Sequence, residues 1–105
     1  MEEYREIYEA KTELLKALSH PLRLQIVRGL LHNGCRNVRC MEEGTGQSQS
    51  MISQHLMRLK AAGVVKCERC GNEVYYEVAN PAAAAVVAAL FEDDLSEYSF
   101  PHGEA

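Results

Sequence analysis

The hydrophobic period of this chain changes from 3.6 to 2 within one short stretch, residues 47–78, QSQSMISQHLMRLKAAGVVKCERCGNEVYYEV. That change dictates a helix running directly into a hairpin. Ile52, Leu56, Leu59 and Ala62 recur at spacings of four, three and three, which places them on one helical face directed at a core. Ser48 suits the N-cap, and Gly63 ends the run. From Val64 to Glu68 the pattern turns β-branched and alternating. Arg69-Cys70-Gly71-Asn72 then supplies turn residues, and Val74, Tyr76 and Val78 alternate with Tyr75 and Glu77.

The other face of the helix carries Gln49, Ser50, Ser53, Gln54, Met57, Arg58 and Lys60, and no acid. A face made only for water mixes Glu with Lys, because opposite charges four apart support a helix. Amides, hydroxyls and cations without carboxylates suit base edges and phosphates instead. The net charge of −4 is distributed to match: residues 1–46 are neutral, 47–72 carry +3, and 73–105 carry −7. An electrostatic footprint on nucleic acid depends on where the cations sit, not on their total.

Before this stretch, Tyr4, Ile7, Tyr8, Lys11, Leu14, Leu15 and Leu18 define an amphipathic helix over residues 2–18. Ser19-His20-Pro21 breaks and restarts the chain, with Ser19 expected to cap and Pro21 to sit in the first turn. His20 is expected to cap or pack rather than to bind metal. Leu22 to Leu31 form a second helix ending at Asn33-Gly34, and Cys35 to Cys40 read as extended. Met41 to Gly46 are expected to form a short or frayed helix, since two glycines within three residues each cost nearly 1 kcal/mol of helix propensity.

After the hairpin, Asn80-Pro81 opens a helix that is apolar on every side from Ala82 to Phe91. A domain of this size cannot enclose such a helix alone. The expectation is a dimer interface built from the first and last helices, against the alternative of an alanine-rich helix lying on its own domain. Residues 92–105 are acidic and turn-rich, and are expected to be loose. The division is a domain over residues 1–95 and an acidic flexible tail over 96–105. No segment has the length and apolarity of a membrane span, and the acidic N-terminus is no secretory signal, so the expected location is cytoplasmic with no membrane partner.

ALSHPLRLQIVRGLL, SQSMISQHLMRLKAAGVV and the late Tyr-Tyr pair resemble the ArsR/SmtB family of bacterial repressors, over roughly residues 4 to 90. The resemblance implies an α+β, winged helix-turn-helix fold in the order helix, helix, strand, helix, helix, strand, strand, helix. It also implies a homodimer through the first and last helices. The small strand would lie at residues 35–40, beside the wing. The implied partner is a pseudo-palindromic double-stranded operator with half-sites about 10 base pairs or a multiple apart. Gln49, Ser50, Ser53 and Gln54 would enter the major groove, with Gln47 and Ser48 completing that set and His55 packed beneath. Arg58, Lys60 and Arg69 would hold phosphates, and Arg69 and Asn72 on the wing would reach the backbone or minor groove.

Four cysteines, Cys35, Cys40, Cys67 and Cys70, are many for a short chain in a reducing compartment, where metal binding or thiol sensing outweighs structural disulfides. Cys67-x-x-Cys70-Gly71 in a hairpin turn is expected to face two thiolates to one metal ion, with Cys35 and Cys40 as the other soft ligands. Zn²⁺, As(III) or Sb(III), or no metal and a redox disulfide or polysulfide, are all consistent with four thiols. The plain alternative is that they are small apolar residues. Relatives that use His and Asp on the last helix, a C-x-C on the first helix of the pair, or a cysteine on the last helix are not matched, so any site is of its own type. The expectation is a dimeric repressor whose operator affinity is controlled by an effector acting on these thiols, a soft metal or metalloid ion or an oxidant or reactive sulfur species. Two alternatives stand beside it, a winged-helix DNA-binding regulator with a purely structural zinc and no sensing, and a C-x-x-C thiol oxidoreductase. The oxidoreductase lacks the βαβ setting in which that motif opens a helix.

Overall fold

The computed structural model describes residues 2–99. Helices α1 (Glu2–Leu18), α2 (Pro21–Asn33), α3 (Val38–Thr45) and α4 (Gln49–Ala61) precede an antiparallel hairpin of β1 (Val65–Cys70) and β2 (Glu73–Val78). Helix α5 (Pro81–Phe91) and a single 3-10 turn (Leu95–Glu97) follow. This is the winged helix-turn-helix expected from the sequence, with one strand fewer.

The missing strand has a local cause. Arg36 pairs with Tyr76 through two hydrogen bonds of 3.1 and 2.8 Å, but this is an isolated bridge. The Asn37 side chain then accepts from the Cys40 amide at 2.9 Å, capping a helix that begins at Val38. Residues 38–40 are therefore helical, three positions earlier than expected, and Cys40 lies on α3 rather than on a strand. The two glycines are used differently from the expectation as well. Gly44 lies inside α3, whereas Gly46 sits outside it with φ of 76°, its amide reaching the Glu42 carbonyl, a left-handed cap that glycine takes without strain.

At the start of α2, His20 rather than Ser19 is the cap. The imidazole Nδ1 accepts from the Leu22 amide at 3.0 Å, and Ser19 instead donates its hydroxyl back to the Leu15 carbonyl. The core is built around Val27, Leu30 and Leu31 of α2, Ile52, Leu56 and Leu59 of α4, Val64 just before β1, Val78 at the end of β2, and Val87 of α5. Alanines 83, 84 and 88 complete the inner face of α5, and their small side chains let α5 lie close on α2.

Helix α1 buries only Ala17 and Leu18 in this chain. Tyr4, Ile7, Tyr8 and Leu15 are each more than half exposed, as is Leu90 on α5. The expectation of a loose chain from residue 92 does not hold through residue 99. Asp93 is gripped by Arg28, Tyr98 is buried, and the Ser99 amide donates to the Leu31 carbonyl at 2.6 Å. Positions 100–105 of the expected tail lie outside the described residues. No helix among the described residues is long and apolar enough to cross a membrane.

Candidate nucleic-acid interface and the wing thiols

Helix α4 starts at the predicted cap, where the Ser48 hydroxyl accepts from the Met51 amide at 3.1 Å. With Ile52, Leu56 and Leu59 in the core, the helix can turn only one side outward. All ten residues expected at DNA are exposed: Gln47, Ser48, Gln49, Ser50, Ser53, Gln54, Arg58 and Lys60 on or before α4, and Arg69 and Asn72 on the wing. None of the ion pairs among the described residues involves Arg58, Lys60 or Arg69, so their charges are uncommitted. Lys66 is different, since it pairs with Glu77 across the hairpin at 3.3 Å.

The wing is a two-residue hairpin. Gly71 has φ of 65°, and Asn72, the other central residue, is not at positive φ, the pattern of a type II′ turn with glycine first. That turn puts Arg69 next to the tip of the hairpin. Beneath α4, His55 is half-buried as expected, its ring 4.3 Å from that of His20 between centroids. Burial holds its pKa below the ordinary value, and the neighbouring His20, Arg23 and Arg58 add to the shift.

The thiols are arranged less favourably for a metal than the spacing suggested. All four cysteines are free. The turn is Gly71-Asn72, so Cys67 and Cys70 both lie on β1, where residues three apart point to opposite faces. Cys67 lies on the same face as buried Val65, opposite Tyr76, whereas Cys70 shares the outer face with Lys66 and Glu68. Cys35, Cys67 and Cys70 border one cavity of about 360 Å³, and Cys40 on α3 does not. Among the described residues no group of three or more His, Cys, Asp or Glu is placed to hold a metal ion. A four-thiolate or three-thiolate centre therefore does not fit this arrangement, with zinc or with trivalent arsenic or antimony. Nor does Cys67 occupy a helix start, where an oxidoreductase thiol would gain its reactivity.

Two groups escaped the sequence reading. Arg23 is buried although charged, and its phase on α2, four before Val27 and seven before Leu30, is the core phase. An arginine on that phase was the available signal. The second group is Arg28, Asp93 and Tyr98, for which the signal was a lone aromatic residue in an acidic, turn-rich stretch.

The profile of the bacterial regulatory protein, arsR family, matches residues 20–66. The transcriptional repressor PagR of Bacillus anthracis is 37% identical over 82 residues, covering 78% of this chain and 82% of PagR. The chain belongs to the ArsR family.

Members of this family are DNA-binding transcriptional regulators, not enzymes. The crystal structure of PagR superposes with a TM-score of 0.77 at 35% identity, covering 82% of this chain and 98% of PagR. A homodimeric winged helix-turn-helix DNA-binding domain from Mycobacterium bovis gives 0.75 at 30% identity, over 84% of this chain and 81% of that one. The repressor SmtB of Mycobacterium tuberculosis is 45% identical over 83 residues. That match takes in 79% of this ArsR-family chain but only 61% of SmtB, so the chain spans about three fifths of that relative's length.

Proposed function

We propose that this ArsR-family chain is a homodimeric transcriptional repressor that reads a double-stranded operator with α4 and steadies it with the wing. The observation that carries the reading is the exposed, acid-free outer side of α4, flanked by uncommitted Arg58, Lys60 and Arg69. Gln49, Ser50, Ser53 and Gln54 enter the major groove, with Gln47 and Ser48 at its rim. Arg58, Lys60 and Arg69 contact phosphates, and Asn72 reaches the backbone or minor groove at the wing tip. The second protomer supplies the other half-site, which compensates for a small number of cations per chain.

Release of DNA is assigned to the wing thiols. Cys67 and Cys70 are three residues apart on an extended strand, about 10 Å between Cα atoms, whereas a disulfide needs less than about 7 Å. Linking them therefore requires β1 to leave its register. An oxidant such as a peroxide or a polysulfide takes two electrons from the two thiols and leaves as water, or as hydrosulfide and a shorter polysulfide, with the thiol protons taken up by those products. The S–S bridge that forms, or a longer one that keeps sulfur from the polysulfide, pulls on the segment containing Arg69. Loss of the Arg69 phosphate contact and of wing orientation, about 1–3 kcal/mol, lowers operator affinity about 5- to 150-fold.

The test uses a labelled duplex selected from a random pool by the reduced protein. Hydrogen peroxide, sodium tetrasulfide, Zn²⁺ and arsenite are titrated against the preformed complex, with Cys67→Ser and Cys35→Ser in parallel. The reading expects release by the sulfur oxidants, reversal by a thiol reductant, no response in Cys67→Ser, and no response to either metal. If none of the additions changes affinity, thiol control fails and DNA binding stands alone. If no duplex is selected, the repressor reading itself fails.

A further inference from the structure

Among the described residues Arg23 is the one charged side chain that is buried, and it has no acidic partner. A buried cation persists only where dipoles replace water around it. Here Nε donates to the Ala17 carbonyl at 2.6 Å and Nη2 reaches the Lys16 carbonyl at 3.4 Å, both in the last turn of α1. Those carbonyls lie at the negative end of a helix dipole, and the Lys16 carbonyl also accepts the Ser19 amide at 3.1 Å. The remaining arm, Nη1, lies 3.0 Å from Nδ1 of His55 on α4. Arginine can only donate, so Nδ1 must be the acceptor and the ring must be neutral.

One rigid guanidinium thus ties three helices: its own α2, the end of α1, and α4 at a residue flanked by Gln54 and set one turn before Arg58. Van der Waals packing of Leu56 and Leu59 fixes how deep α4 sits, but apolar contacts are non-directional and tolerate rotation about the helix axis. A directional hydrogen bond at His55 does not. We infer that Arg23 is a positioning residue for the reading helix, and that through His55 it sets the angular placement of Gln54 and Arg58 relative to α1. This rests on the DNA-reading role proposed above for α4. It gives the largely exposed helix α1 a mechanical link to the reading helix that runs through two side chains rather than through the whole core.

The test asks whether the Nδ1 acceptor, rather than the ring, matters. The substitution His55→Asn would place an amide oxygen near the position of Nδ1, whereas His55→Leu would fill the space with no acceptor. Full-length wild type, His55→Leu and His55→Asn are compared by fluorescence anisotropy on the selected duplex over a range of salt concentrations. Circular dichroism confirms that each is folded at the assay temperature. His55→Leu is expected to bind about tenfold more weakly, with the slope of log K against log salt unchanged, because no phosphate contact is removed. His55→Asn is expected to recover binding to within about threefold of wild type. Wild-type affinity in His55→Leu would overturn the inference. So would a slope lower by about one per protomer, which marks a direct phosphate contact, or an Asn variant as weak as the Leu variant. If wild type selects no duplex, the DNA-reading role and this inference fall together. If wild type binds and His55→Leu binds equally well, only the inference falls.

Discussion

Arg28 grips Asp93 through two parallel hydrogen bonds of 2.9 Å, and this pair fixes the segment after α5 onto α2. Tyr98 donates its hydroxyl to the same carboxylate, His32 stands edge-on to the Tyr98 ring at 5.3 Å, and the Arg28 guanidinium lies 4.2 Å over the Phe91 ring. The fork of arginine matches a carboxylate in a way lysine cannot. Arg28→Lys is therefore expected to loosen residues 93–99 while leaving the core intact, seen as faster amide exchange at Ser99 with little change at Leu30. Tyr98→Ala should cost no more than roughly 3 kcal/mol of stability, because the segment can undock rather than leave a cavity.

The same carboxylate makes the segment acid-sensitive. Hydrogen bonds from Arg28 and then Tyr98 hold the Asp93 carboxyl at about 2, below its ordinary value near 3.9. Burial and the bond to Asp93 push the Tyr98 hydroxyl up to about 12. A depressed carboxylate stabilises the folded form fully above its ordinary value, and that contribution disappears as pH falls from about 4 toward 2. Exchange at Ser99 should accelerate, relative to Leu30, over that window in wild type and show no such step in Asp93→Asn.

Glu92 is the only non-glycine at positive φ among the described residues, at 57°, where it ends α5. Its side chain is exposed. Glu92→Gly should therefore stabilise the fold by about 0.5–1 kcal/mol, the left-handed strain relieved less the added freedom of the unfolded chain. A thermal melt that drops instead would show that the Glu92 side chain holds something in place.

Helix α1 exposes Ile7 and Tyr8, each 57% accessible in the single chain. If they are covered by a second copy, each contributes roughly 1.5–3 kcal/mol of burial. Ile7→Ser with Tyr8→Ser is expected to weaken the dimer at least about 100-fold in sedimentation equilibrium, with the far-ultraviolet spectrum of the fold retained.

The elements with strong periodicity were legible before the structure. Ile52, Leu56 and Leu59 placed α4, Ser48 its cap, and Val74, Tyr76 and Val78 the second strand of the wing, because each signal is local. The misreadings came where a side chain competed with propensity. Asn37 capped a helix through residues that look extended, and His20 took the cap from Ser19. The C-x-x-C spacing misled for a related reason: it presents two thiols together in a turn but apart on a strand, and whether Cys70 belonged to the turn or to β1 was decided by the register with Glu73. Arg23 with His55, and Arg28 with Asp93, are pairs 32 and 65 residues apart in sequence, beyond the reach of any periodicity.

Contact between the outer side of α4 and a duplex is tested most directly by anisotropy titration of the selected duplex with wild type, Gln54→Ala and Arg58→Ala. Gln54→Ala should lose roughly 1–3 kcal/mol on the selected sequence and little on an unrelated duplex, whereas Arg58→Ala should weaken both and lower the salt slope by about one per protomer. Unchanged affinity and unchanged salt dependence in both variants would contradict the account.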